Sequence, residues 1–424
     1  MSVNKRSTLN NSIFIIVLMF LIKIAFGFYF SNFNPEFFNV KDTSSYIEPA
    51  KQICETGKYY NENEVPETNR LPGAILHLLP AVCFDLNLNY YIVLLNSIML
   101  LFSAYFTFKI ILMLEIKINP LYIFLFFLID PTLTRYQYNI LTEIIFLFWF
   151  SFSIYLFMLG LKKKIYYLFF TGYIILTIAT FIKPIVIYLP FFITIFIFLF
   201  YFLQPSFEKK FNNAFLIASF VGLILHFSLT QMWVNRNYQE ANVKEFSTIK
   251  NVNMYYYMTA AIVAKGEKEN WLKIREEFRK KSKNLTKQQF ADVSKLEFKK
   301  TLIKYPLESI LVGIEGAVMI FLTPGTGQYA KGLLIKKNYN IAYNLFIIFG
   351  IIWLFLFYTL AAYGFFKIKK NTLIIFLIII LGYLLLVSSG PMSYSRFRIP
   401  FIPILVILMS CGIENILKKI KDKI

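Results

Sequence analysis

Apolar residues in this chain are not spread at helical period. They come in runs near 20 residues, the length of helix that a bilayer core of about 30 Å requires. Residues 13–30, 167–182, 185–203, 343–366 and 373–387 are such runs, and the first is broken only by Lys23, whose apolar stem can snorkel. In hydrocarbon every backbone N–H needs a partner within the protein, which leaves helices or closed barrels. Barrel strands alternate apolar and polar, and these runs do not. The pattern predicts an all-α polytopic membrane protein with about 10–11 transmembrane helices. The uncertainty of one is residues 307–323, apolar enough to cross. If they crossed, two lysine clusters downstream would invert, so they are expected to be re-entrant or interfacial.

Composition agrees with the pattern. The chain is 57% hydrophobic and 16% charged, against about 25% charged in soluble domains, and its mean hydropathy is +0.58. Aromatics make up 19%, mostly Phe standing where Leu would serve, and with the Lys, Ile and Asn usage they suggest an A/T-rich bacterial genome. The net charge of +20 does not mark a nucleic-acid binder, because much of it sits in short loops between spans. Cys54, Cys83 and Cys411 form no C-x-x-C, and the two histidines, His77 and His226, are too far apart to read as a metal pair. The first apolar run lacks a small-residue cleavage site and reads as an uncleaved span.

Lysines set the topology. Lys5 and Arg6, Lys109 and Lys117, Lys162 to Lys164, Lys209 and Lys210, Lys367 to Lys370, and Lys418 to Lys423 all fall between or beside spans. The positive-inside rule places them in the cytoplasm, with both termini. Residues 31–87, 130–140, 181–185, 234–341 and 388–398 are then outside. On this reading 1–233 is an N-terminal membrane domain with a first outer loop at 31–87. Residues 234–306 form an outer polar segment of short surface helices, and 307–424 carry the C-terminal membrane helices. Cys54 and Cys83 both fall outside and can pair.

The outer segments hold the candidate chemistry. Asp42, Tyr46 and Ala50 share one helical face, and Gly57 is a stop. Ser45 and Glu48 match a capping box, and Pro49 favours a helix start at Ser45. Pro72, in Arg70-Leu-Pro-Gly73, opens the next helix. Glu143 begins a span at membrane depth, where an ionisable group is functional by default, although the helix dipole also favours a carboxylate there. Lys183-Pro184, Arg236-Asn237 and Arg396-Phe397-Arg398-Ile399-Pro400 lie at other span ends. Such cations suit a phosphate at headgroup level, and a nearby carboxylate can take a proton from a hydroxyl. Anionic headgroups would attract the same cations without catalysis.

These stretches resemble the polytopic GT-C glycosyltransferases, in the branch of protein O-mannosyltransferases and the aminoarabinose transferase of lipid A. Asp42-x3-Tyr46-x3-Ala50 with Arg70-Leu-Pro-Gly73 is similar to the family's first outer loop, Leu141-Thr142-Glu143 to its second-loop motif, and Arg396-Phe397-Arg398-Ile399-Pro400 to the motif opening the last span. Lys183-Pro184 and Trp233 to Asn237 match weaker landmarks. The resemblance implies inverting transfer from a polyprenyl-phosphate sugar to a glycan, lipid or protein hydroxyl, on the outer face of a bacterial inner membrane. It implies Asp42 as general base, and Arg396, Arg398, Lys183 and Arg236 on the phosphate. Glu143 would orient the acceptor or Arg70, and Tyr46 and Arg70 would line the substrate site. No cofactor beyond the lipid-linked sugar is implied. Many members carry two adjacent acids where this chain has Lys41-Asp42, which leaves any role for a divalent metal open. The alternatives are a flippase of lipid-linked sugars, which would show internal repeats, and a polysaccharide polymerase or ligase with its cations in the large outer loop.

Overall fold

The computed structural model describes residues 3–203, 213–326 and 340–423; the expected cytoplasmic pair Lys209 and Lys210 lies outside them. Among the described residues there are helices and no strand, apart from one isolated bridge, Tyr60 to Pro66. Among the described residues, seven helices are long and apolar enough to cross a membrane, and three shorter apolar helices accompany them. The chain is a multi-pass helical membrane protein.

The first half runs α1 (Val3–Phe33), α2 (Ser44–Thr56), α3 (Pro72–Leu76), α4 (Leu88–Met113), α5 (Pro120–Ile129), α6 (Pro131–Gln137), α7 (Glu143–Lys163), α8 (Tyr166–Ile182) and α9 (Leu189–Leu203). The second half comprises α10 (Asn213–Ala241), α11 (Lys287–Lys304), α12 (Pro306–Leu322), α13 (Asn340–Lys367), α14 (Thr372–Ser388) and α15 (Ile402–Lys421), with shorter helical segments between Ile249 and Ser282. Proline opens α3, α5, α6 and α12 at their first position, where the missing N–H costs nothing.

Helix α7 is the hub, packed on α8 and α4, and α13 packs on α15. Lipid tails are as apolar as leucine, so close backbone approach drives such pairs. Gly364 and Gly412 make the α13–α15 crossing: a Cβ on Gly364 would fall 1.8 Å from the Leu408 carbonyl, and one on Gly412 2.3 Å from that of Leu360.

Several polar side chains inside the bundle donate to one another or to carbonyls. Gln137 Nε2 donates to Ser97 Oγ at 2.6 Å, and Asn96 Nδ2 to the Gln137 carbonyl at 2.9 Å. Lys23 does not snorkel. It is buried, and its ammonium donates to the Leu128 carbonyl at 2.7 Å and Thr134 Oγ1 at 3.1 Å. That burial ties α1 to the α5–α6 corner.

One helix crosses a boundary that the sequence pattern suggested, at residue 233. Helix α10 runs unbroken past residue 233 to Ala241, so the polar segment starts as an extension of a span. The segment then builds a small core of its own from Tyr255, Ala260, Ala264, Ile274 and Phe278. Helix α12 follows α11 through a bend of 106°, centred where Tyr305 precedes Pro306, since a residue before proline is pushed out of helical geometry.

Candidate active site

The first loop is built around α2. Its N-cap is Thr43, not Ser45, and no side chain caps it. The capping box fails because Ser45 is used elsewhere: its hydroxyl donates to the Asp42 carbonyl at 2.6 Å and accepts from Arg70 Nε at 2.8 Å. Pro49 consequently lies inside the helix, and α2 ends at Gly57 with φ +71°. A disulfide from Cys54 to Cys83 staples the end of α2 to the last residue of the short helix Leu79–Cys83 that follows α3. Gly73 lets α3 touch the end of α8, where a Cβ would sit 2.7 Å from the Phe181 carbonyl.

Arg70 is aimed from below. The buried Glu67 carboxylate accepts the backbone N–H of Asn69 and, at 3.0 Å, that of Arg70. Tyr59 Oη donates to the Arg70 carbonyl at 3.0 Å. Arg70 then reaches Asp42 Oδ1 at 3.2 Å with Nη2 and Tyr46 Oη at 3.1 Å with Nη1, its guanidinium 4.6 Å from the Tyr46 ring centre. Burial raises the Tyr46 phenol above its ordinary pKa, against the pull of the Arg70 and Arg396 guanidiniums. It therefore stays neutral, able to accept from Arg70.

The other wall comes from three span ends. Glu143, the first residue of α7, is fully buried. Its Oε1 accepts from Arg396 Nε at 2.5 Å and from Lys183 Nζ at 3.0 Å. Arg396 Nη1 also reaches Asp42 Oδ2 at 3.1 Å. Arg396 is thus the bridge: one edge grips the buried acid, the other the exposed one. Lys183 leaves the end of α8 in an extended conformation and packs over the Phe397 ring at 5.6 Å.

Six sequence-predicted residues therefore meet in one network: Asp42, Tyr46, Arg70, Glu143, Lys183 and Arg396. Three cations face two carboxylates. The Asp42 side chain remains 38% exposed and opens on a cavity of about 550 Å³, shared with Arg135, Tyr136, Tyr394, Arg396 and Lys41.

Two predicted residues do not join. Arg398 is 1% exposed and donates to the carbonyls of Ile320, Phe321 and Thr323 and to Thr132 Oγ1. It satisfies the orphan carbonyls at the end of α12 and cannot also reach a substrate phosphate. Alternation explains this: two residues apart on one short turn, Arg396 and Arg398 point to different neighbours. Arg236 donates to the carbonyls of Glu67 at 2.7 Å and Tyr59 at 3.0 Å, flanked by the Tyr59 and Trp233 rings. It clamps the loop that aims Arg70. Glu143, in turn, pairs with Arg396 and Lys183 and not with Arg70.

Sequence reasoning missed Arg135 and Tyr136. Asp130 caps α6 by accepting from the Leu133 N–H at 2.9 Å, and α6 delivers both residues to the cavity wall. Arg135 donates to the Phe37 carbonyl at 3.0 Å with its guanidinium 4.3 Å from the Phe37 ring centre. The available signal was an arginine inside the short outer segment 130–140. The described residues gather no three His, Cys, Asp or Glu side chains at one point; the two acids here are engaged by guanidinium and ammonium groups instead.

No known family profile matches the chain, and no curated protein matches it at a significant level.

Proposed function

We propose that the chain is an inverting membrane glycosyltransferase that uses a polyprenyl-phosphate sugar as donor and a hydroxyl as acceptor. The observation that carries this reading is Asp42: an accessible carboxylate held between two guanidiniums and lining an open cavity of mixed polar and apolar walls. An ionised carboxylate offers about four acceptor positions. Arg70 and Arg396 take one on each oxygen, which orients the group and leaves lone pairs for an acceptor O–H. In the proposed step the acceptor oxygen forms a bond to the anomeric carbon and gives its proton to Asp42. The bond from that carbon to the phosphate oxygen breaks, and the electron pair leaves on the lipid phosphate. Attack opposite the leaving group inverts the centre.

The cations divide by role. Arg396 Nη2 makes neither of the carboxylate contacts and has donors for a phosphate oxygen; Lys183 adds a second charge beside it. Glu143 is a positioning residue, too buried to touch substrate. The Cys54–Cys83 disulfide supports putting this end of the bundle on the oxidising side of the membrane, as the lysine distribution does. The proposal accordingly takes the site as outward-facing, in a bacterial inner membrane, with about ten spans and cytoplasmic termini.

Membranes containing the protein, supplied with a panel of labelled polyprenyl-phosphate sugars, test the class. Transfer of label to a hydroxyl-bearing product, with release of polyprenyl phosphate, is the expected result. Movement of intact labelled lipid across the bilayer without transfer would overturn the reading in favour of a flippase.

A further inference from the structure

A second cavity, about 820 Å³, opens on the flank of α10. It lies at the same end of the bundle as Asp42: Arg236, on α10, clamps the loop that positions Arg70. One wall is apolar and exposed. Ile224 is 63% exposed, Phe227 37% and Met232 65%, and all three line the cavity. The lining runs along α10 from Leu223 to Asn235, which at 1.5 Å per residue is about 18 Å. That is close to one leaflet of a hydrocarbon core about 30 Å thick.

The other end is cationic and built. Lys244, Lys250 and Lys295 converge there around Glu245. Glu245 is 2% exposed and holds the ammonium groups of Lys250 and Lys295 at 2.5 Å each. Lys244 Nζ lies 4.7 Å from the centre of the Tyr238 ring. The backbone beneath is pinned: Asn237 Nδ2 donates to the Glu245 carbonyl at 2.9 Å, Ser247 Oγ to that of Asn69 at 2.6 Å, and the Thr248 N–H to that of Thr68 at 2.9 Å. Three ammonium groups against one carboxylate leave a local charge of about +2, and the Lys250 and Lys295 side chains remain half exposed. Each ammonium has three donors, so pairing with Glu245 does not exhaust them.

We propose that this groove binds one anionic phospholipid of the surrounding bilayer. Its phosphate sits on Lys244, Lys250 and Lys295, and an acyl chain lies along Ile224, Phe227 and Met232. A zwitterionic headgroup carries its own cation and gains little from a +2 site; a net-negative one gains from all three lysines. Glu245 gathers two of the lysines at headgroup height and is a positioning residue. The assignment rests on the membrane reading of the helices and not on the transfer reaction, so the two can fail separately.

The test uses the full chain in nanodiscs with photoactivatable phosphatidylglycerol or photoactivatable phosphatidylcholine, followed by peptide mapping. The glycerol lipid is expected to label peptides within 223–235, and the choline lipid to label them much less. Lys244→Gln/Lys250→Gln leaves Lys295 on Glu245, so no buried charge is stranded. It should lower the labelling by about tenfold. Raising the salt should weaken wild-type labelling, a readout that stands even if the double variant fails to fold. Inorganic phosphate at millimolar concentration should compete poorly; full competition would mean a free-anion site and overturn the lipid assignment. Equal labelling by both lipids, or labelling spread evenly around the helical belt, would also overturn it.

Discussion

Replacing Glu143 by Gln removes one charge from a largely buried ion-pair network. The Glu143 side chain is 0% exposed, and its Oε1 is shared by Arg396 and Lys183, themselves only 17% and 14% exposed. Breaking a buried ion pair from one side costs about 3–5 kcal/mol, because the partner's charge stays behind unpaired. Arg396 keeps Asp42, so the stranded charge is Lys183, and the lower half of that range applies. By the usual size scaling, a chain of this length loses about 1–2 °C per kcal/mol. The expected drop in apparent unfolding midpoint is therefore roughly 3–8 °C, read at one scan rate because such unfolding is irreversible. Glu48→Gln is the control: its pair with Lys51 is exposed and its loss should be nearly silent. Adding Lys183→Met to Glu143→Gln should recover part of the loss, since the stranded charge goes with it. A Glu143→Gln midpoint indistinguishable from the Glu48→Gln midpoint would refute the buried-bridge reasoning.

The two arginines of the last motif should separate. Arg396→Lys should abolish transfer with normal membrane insertion, because lysine cannot bridge Asp42 and Glu143 at once; Arg398→Lys should instead lower thermal stability, seen in midpoint rather than in donor affinity. Cys54→Ser with Cys83→Ser should cost about 3–4 kcal/mol for a bridge spanning 29 residues of sequence; non-reducing mobility of wild type, which should run faster than reduced protein, checks the bond first. Gly364→Ala puts a Cβ 1.8 Å from the Leu408 carbonyl, so α13 and α15 must part, and yield in detergent should fall sharply.

The spans were legible because hydrocarbon leaves few choices. Among the described residues, the apolar runs named three of the seven long apolar helices and two of the three shorter ones, and Pro72, Glu143 and Gly57 marked the helix ends found at those positions. Site residues were legible where an ionisable side chain sat at a span end, as Glu143, Lys183 and Arg396 do. What the sequence could not report was which polar group each one would meet. Ser45 matches a capping box, yet a distant Arg70 captures its hydroxyl. Arg398 reads like Arg396, yet the orphan carbonyls of α12, some 75 residues upstream, claim it. Lys23 reads as a snorkelling residue, yet two oxygens at the α5–α6 corner draw it inward. In each case the deciding partner is remote in sequence, and local pattern carries no trace of it.

The central claim is that Asp42 takes the acceptor proton. Asp42→Asn preserves the shape of the side chain and, because the residue is part exposed, should leave expression and insertion intact. Transfer from the labelled polyprenyl-phosphate sugar that wild type uses should fall by about a hundredfold or more. Undiminished transfer by Asp42→Asn would contradict the account.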